Sequence, residues 1–82
     1  MEPVAEGFDV FIKEGGKAFG AVRAVHGHGI TVYVENAGDF EVPAAAIKDV
    51  FSEKVVLDPG KLSAALTEAI ARAHAVEDPR IP

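Results

Sequence analysis

Apolar residues alternate with polar ones in several short runs separated by turn-forming residues. In "FDVFIK", Phe8, Val10 and Ile12 fall on one side and Asp9, Phe11 and Lys13 on the other. In "ITVYVE", Ile30, Val32 and Val34 share one face, and Thr31, Tyr33 and Glu35 the opposite one. A period of two places alternate side chains on opposite faces of a strand, so both runs predict half-buried strands. "AFGAVRAV" is also apolar, but Phe19, Val22 and Val25 are three apart, and Gly20 within the run predicts a bulge or bend that resets the register. "FEVP" turns Phe40 and Val42 inward and ends at Pro43, which cannot donate to a ladder. "AAAIKDVF" predicts a helical turn leading into a short strand, and "KVVLD" a last strand after a tight "SE" connection. "EGGK", "HGHG" and "NAGD" are the other turn signals.

Five to six short strands spaced about eight to twelve residues apart point to an all-β architecture rather than parallel βαβ units. The expected fold is mostly β: a small closed or partly open antiparallel β-barrel with one C-terminal α-helix. Its expected core is Phe8, Val10, Val22, Val32, Val42, Val50 and Val55.

The period changes after Asp58. Leu62, Ala65, Leu66, Ala69, Ile70 and Ala73 follow i, i+3, i+4 spacing and form one apolar stripe. Asp58 is placed to cap, and Pro59 suits the first helical position, so a helix is predicted over 59–75, with a tail at 76–82. Glu68 and Arg72 make a favourable i, i+4 pair on its solvent side. The stripe can dock on the chain's own barrel or on a second subunit. Phe11, Tyr33, Phe51 and Val56 run out of phase with the core, so either the helix covers them or they form an intermolecular interface. The candidate interface residues are therefore Phe11, Tyr33, Phe51, Leu62, Leu66 and Ile70.

At 82 residues the chain has room for one domain, with the barrel at 8–58. It contains no cysteine, which excludes disulfides and thiolate metal sites. Eight basic residues against 13 acidic ones give a net charge of −5, the wrong sign for displacing counterions from nucleic-acid phosphates. No apolar run is long enough to span a membrane, and "MEPVAEGFDV" lacks the basic and apolar regions of a signal peptide. The expected location is cytoplasmic.

Residues Gly16, Lys17, Phe19, Gly20, Val22 and Val25, then Ile30 and Val32, then Val42-Pro43 with Ile47, Val50, Lys54, Val55 and Leu57, resemble the PRC-barrel-like domains. The chain is most similar to the small stand-alone bacterial members of that family. The match covers residues 8–58, consists mainly of barrel-building glycines and hydrophobes, and excludes the C-terminal helix. It implies a non-enzymatic protein-interaction or assembly module; the apolar surplus beyond one small core adds the expectation of self-association as a homodimer, with a further protein partner and no cofactor. Fold alone does not fix the role.

Candidate chemistry is sparse. His26 and His28 lie two apart, and an H-x-H pair on a strand can chelate one zinc, copper or nickel ion. This supports an alternative function as a metal- or small-ligand-binding protein. A third ligand would have to come from Glu14, Asp39 or His74. The plainer reading is a glycine-built turn with solvated imidazoles. Neither Ser52 nor Ser63 sits in a nucleophile-elbow context, and Ser63 reads as capping support. Asp39 and Glu41 read as a solvated strand face that discourages edge aggregation. Gly15-Gly16-Lys17 lacks P-loop spacing and reads as a turn.

Overall fold

A computed structural model describes residues 3–12 and 16–77, the last four by their backbone. The strands are β1 (Asp9–Phe11), β2 (Gly20–Val25), β3 (Gly29–Val34), β4 (Gly38–Pro43), β5 (Ile47–Phe51) and β6 (Lys54–Leu57). They are followed by one helix, α1 (Ala64–Glu77), and short 3-10 turns occupy Ala44–Ala46 and Pro59–Lys61. The strands form one sheet in the order β4-β3-β2-β1-β6-β5. The architecture is mostly β: a six-stranded sheet curled into a partly open barrel, with one C-terminal helix.

The expectation of a purely antiparallel barrel needs correction, because β1 and β6 pair in parallel, with Val10 beside Val55 and Phe11 beside Val56. The turn at Ala44–Ala46 explains this. β1 to β4 alternate in direction, and β5 and β6 are antiparallel to each other. With β6 parallel to β1, β5 must run in the same sense as β4. The chain therefore passes from one edge of the sheet to the other without reversing. Four Cα steps from Pro43 to Ile47 span at most about 15 Å. The edges of a flat six-stranded sheet would stand about 24 Å apart. A connection this short is possible only because the sheet curls.

Local chemistry sets the bends. In β2 the register against β3 skips between Val22 and Ala24, so the bulge falls at Arg23 and not at Gly20. Gly20 serves a close approach instead: a Cβ there would lie 2.4 Å from the Tyr33 carbonyl oxygen. β5 carries a second register skip between Ile47 and Asp49.

The expected core valines at 10, 22, 32, 42, 50 and 55 are all buried, and Phe8 packs half-buried against them. Phe19, Ile30, Val34, Ala46 and Leu57 complete the barrel interior. Leu66, Ala69 and Ile70 of α1 join the same cluster, so the helix docks on its own sheet. Val56, expected out of phase with the core and either covered by the helix or open to a partner, is 4% exposed. Its strand is flanked by β1 and β5, which place Phe11 and Asp49 directly beside it.

The helix begins later than the spacing predicts. Asp58 does cap, but its Oδ1 accepts from Gly60 N at 3.0 Å and so closes only the 3-10 turn. Leu62 then extends the chain (φ −98°, ψ 154°). Ser63 restarts it as the cap of α1, its Oγ accepting from Leu66 N at 3.2 Å. Two caps in tandem divide the predicted segment into a turn and a helix. The helix continues past residue 75 to Glu77, and 78–82 lie outside the described residues.

Candidate functional site

Two features stand out: a polar network on the outer face of β2–β3–β4, and a groove beside the helix. The network starts from pairing. Thr31 on β3 lies directly opposite Glu41 on β4, and the β2–β3 turn brings His26 over the same spot. The Thr31 hydroxyl donates to Glu41 Oε2 at 2.6 Å, and His26 Nε2 lies 2.7 Å from Thr31 Oγ1. Because the single hydroxyl hydrogen is committed to Glu41, the His26 contact requires the hydrogen on Nε2. Glu41 Oε1 lies 3.4 Å from that same nitrogen. A nucleophilic triad needs the hydroxyl to pass its proton to the imidazole while a carboxylate holds the other ring nitrogen. Here the hydroxyl hydrogen goes to the carboxylate, and one nitrogen faces both oxygens. Thr31 is also 7% exposed. The geometry ties three strands' worth of side chains together and presents no attacking oxygen.

His28 is exposed, and its ring stacks on that of His26 with centroids 6.0 Å apart and planes 20° from parallel. Of the third ligands considered, Asp39 faces Arg23 Nε at 3.5 Å, and Glu14 and the His74 side chain lie outside the described residues. Among the described residues no group of three His, Cys, Asp or Glu side chains is arranged to hold a metal ion. Ser52 is exposed in the β5–β6 turn at φ 51°, and Ser63 is the α1 cap.

The candidate interface residues separate. Leu66 and Ile70 are buried in the chain's own core, so neither is offered to a partner. Leu62, Phe11 and Phe51 are half-buried, with Lys54 Nζ 5.9 Å from the Phe11 ring centroid. Tyr33 is 38% exposed, with the Arg23 guanidinium 5.3 Å over its ring. Arg23 thus joins Tyr33 to Asp39 on the face that carries the His26 network.

Sequence patterning does not reveal the groove. It holds about 820 Å³ between α1 and the ends of β2, β3 and β4, and is lined by Phe19 and Phe40, by Tyr33 at the strand ends, and by Ala65, Ala69 and Ala73 of the helix. Glu35, Glu68 and Arg72 also border it, the last two paired at 3.4 Å. Its cause lies in the helix: alanines at i, i+4 and i+8 give a wall too thin to fill the space beside the two phenylalanines. The signal is present in the alanine spacing, which also fits simple helix propensity.

No family model, curated protein or solved structure matches the chain. The functional reading therefore rests on the groove, the polar face and the sheet edges. No helix among the described residues is long and apolar enough to cross a membrane.

Proposed function

We propose that this domain is a non-catalytic protein-interaction or assembly module of the PRC-barrel type that seats part of its partner in the groove beside α1. The groove is the observation that carries this reading. Concave, mostly apolar surfaces with a few polar groups at the rim are where proteins take up other molecules. Here aromatic and alanine walls are bordered by Glu35, Glu68 and Arg72. The curled six-stranded sheet followed by a single helix is the mostly β, partly open barrel that the alternation and the later helical spacing predict, apart from the parallel β1–β6 pair. Leu66 and Ile70 are buried in the chain's own core, which leaves the exposed Ala65 and the half-buried Ala73 as the part of the helix stripe that borders the groove. Association with a second copy or with another protein then rests on the groove and the face around Tyr33.

The test is a photoreactive side chain placed in the native cell at Ala65, which is exposed and lines the groove, and separately at Ala71, which is exposed outside it. A polypeptide adduct from position 65, weak from 71 and lost when Ala37→Trp narrows the groove, is the expected result. Equal crosslinking from both positions, or no polypeptide adduct from 65, would overturn the reading. Light scattering on the same adduct-forming sample separates a second copy from a different protein.

A further inference from the structure

The two edges of the sheet are finished differently. β5 is shielded: its register is broken between Ile47 and Asp49, and the Asp49 carboxylate accepts the Val50 N–H at 2.8 Å. Natural sheets blunt an edge by such means, because an unbroken row of unpaired amides is a template for another strand. β4, at the opposite edge, pairs with β3 in unbroken register from Gly38 to Pro43. Ala44 N donates to His28 O, and in an antiparallel ladder bonded residues alternate. Val42, Phe40 and Gly38 therefore turn their amides to β3, while Asp39 and Glu41 turn theirs outward. Pro43 falls on the outward phase, where its missing N–H costs no ladder bond.

The acids on β4 do not close this edge, because they are drawn back across the sheet: Asp39 faces Arg23, and Glu41 bonds Thr31. They do set its charge. Asp39, Glu41 and Glu35 are all exposed there, with Arg23 at 3.5 Å from Asp39 and the His26 ring 3.4 Å from Glu41. A second copy adding antiparallel about Phe40 would set Asp39 of one copy opposite Glu41 of the other, and like charges directly opposed are destabilising. Phe40 of the same strand forms part of the groove wall, so an added strand lies alongside the groove.

We propose that β4 is a strand-addition site for an extended basic segment of another protein, with Lys or Arg at alternate positions over Asp39 and Glu41. This rests on the interaction reading above and adds the partner's chemistry. Main-chain hydrogen bonds from Asp39 and Glu41 would supply affinity, and the alternating cations the selectivity.

The experiment is amide hydrogen exchange and NMR titration of the full chain with three capped peptides. One alternates lysine and valine, one alternates glutamate and valine, and one is the lysine peptide N-methylated along a single edge. The lysine peptide should slow exchange at the Asp39 and Glu41 amides and bind about tenfold more tightly than the glutamate peptide at low salt. N-methylation should abolish that protection. Asp39→Lys should narrow the charge preference, and the substitution is at an exposed position, where the Asp39 side chain faces Arg23 at 3.5 Å. Unchanged exchange at the two amides, or binding indifferent to N-methylation, would overturn the proposal. So would concentration-dependent protection of those amides without peptide, which would give the edge to a second copy. If a peptide shifts Ala65 and Ala69 while the β4 amides exchange freely, the groove reading survives and this one falls. If neither place responds and Ala65 gives no polypeptide adduct, both fall.

Discussion

The β2–β3 and β5–β6 hairpins reverse the chain by opposite means. "HGHG" carries two glycines at the β2–β3 turn, yet neither has positive φ. Gly27 has open space around it, and Gly29 is needed for approach, since a Cβ there would lie 2.3 Å from the Val42 carbonyl oxygen. The β5–β6 turn has no glycine, but Ser52 and Glu53 both occupy the left-handed region at φ 51° and 63°. That conformation matches strand twist, and it costs an L-residue about 1–2 kcal/mol. The strained turn leads directly into Val55, Val56 and Leu57, all buried, and the other leads into Ile30 and Val32, buried as well, but follows Val25, 46% exposed. Burial beyond the turn offsets the strain at Ser52 and Glu53, and in the other hairpin side-chain hydrogen bonds add to the burial of the strand that follows. The presence of glycine reports on neither.

If burial beyond the turn offsets its strain, a large loss of stability should come from the strand after Ser52 and Glu53. Leu57→Ala removes a fully buried side chain there and should cost about 3 kcal/mol, read as a lower urea midpoint. Val25→Ala in the other hairpin should leave that midpoint nearly unchanged. Equal costs for the two substitutions would show that burial beyond the strained turn is not what offsets its strain. Next in size, the double change Ser52→Asn with Glu53→Gly supplies residues that tolerate positive φ and should raise stability by about 1 kcal/mol in the same assay. No gain would mean that the turn relaxes elsewhere. Smallest, Thr31→Val keeps the volume, removes the hydroxyl bonded to Glu41 and His26, and should cost somewhat under 1 kcal/mol. Its sharper readout is the His26 ring, whose NMR signals should move toward those of the exposed His28. Unmoved His26 signals would show that the β2–β3 turn does not depend on the network.

Much of the barrel is legible in the sequence because strand alternation is a local property. Val10, Val22, Val32, Val42, Val50 and Val55 can be assigned inward from neighbours two residues away, and burial agrees. Helix periodicity likewise places Leu66, Ala69 and Ile70 on one face, and the Glu68–Arg72 pair forms at 3.4 Å. Where alternation fails, a bulge or an unforeseen neighbour is responsible. The register skip at Arg23 sets Val25 opposite Ile30, in phase with Val22 opposite Val32, and β1 lying beside β6 helps bury Val56. The helix start is misplaced because Asp58 and Ser63 both satisfy capping chemistry, and only the extended Leu62 between them separates turn from helix.

The candidate site is less legible than the fold. Spacing singles out His26 for metal binding, but its partners in space are Thr31 and Glu41, which alternation assigns only to a solvent face. The groove arises from alanines whose significance depends on what stands opposite them. By itself the sequence determined which residues seek the interior, which segments are strands, and where a helix must follow. These depend on side-chain polarity and on contacts within a few residues. Only the tertiary structure decided that β1 lies parallel to β6, that β4 is left with outward amides while β5 is capped, and that Phe19 and Phe40 face an alanine wall across open space. Each of those depends on segments far apart in the chain being brought together as the sheet curls.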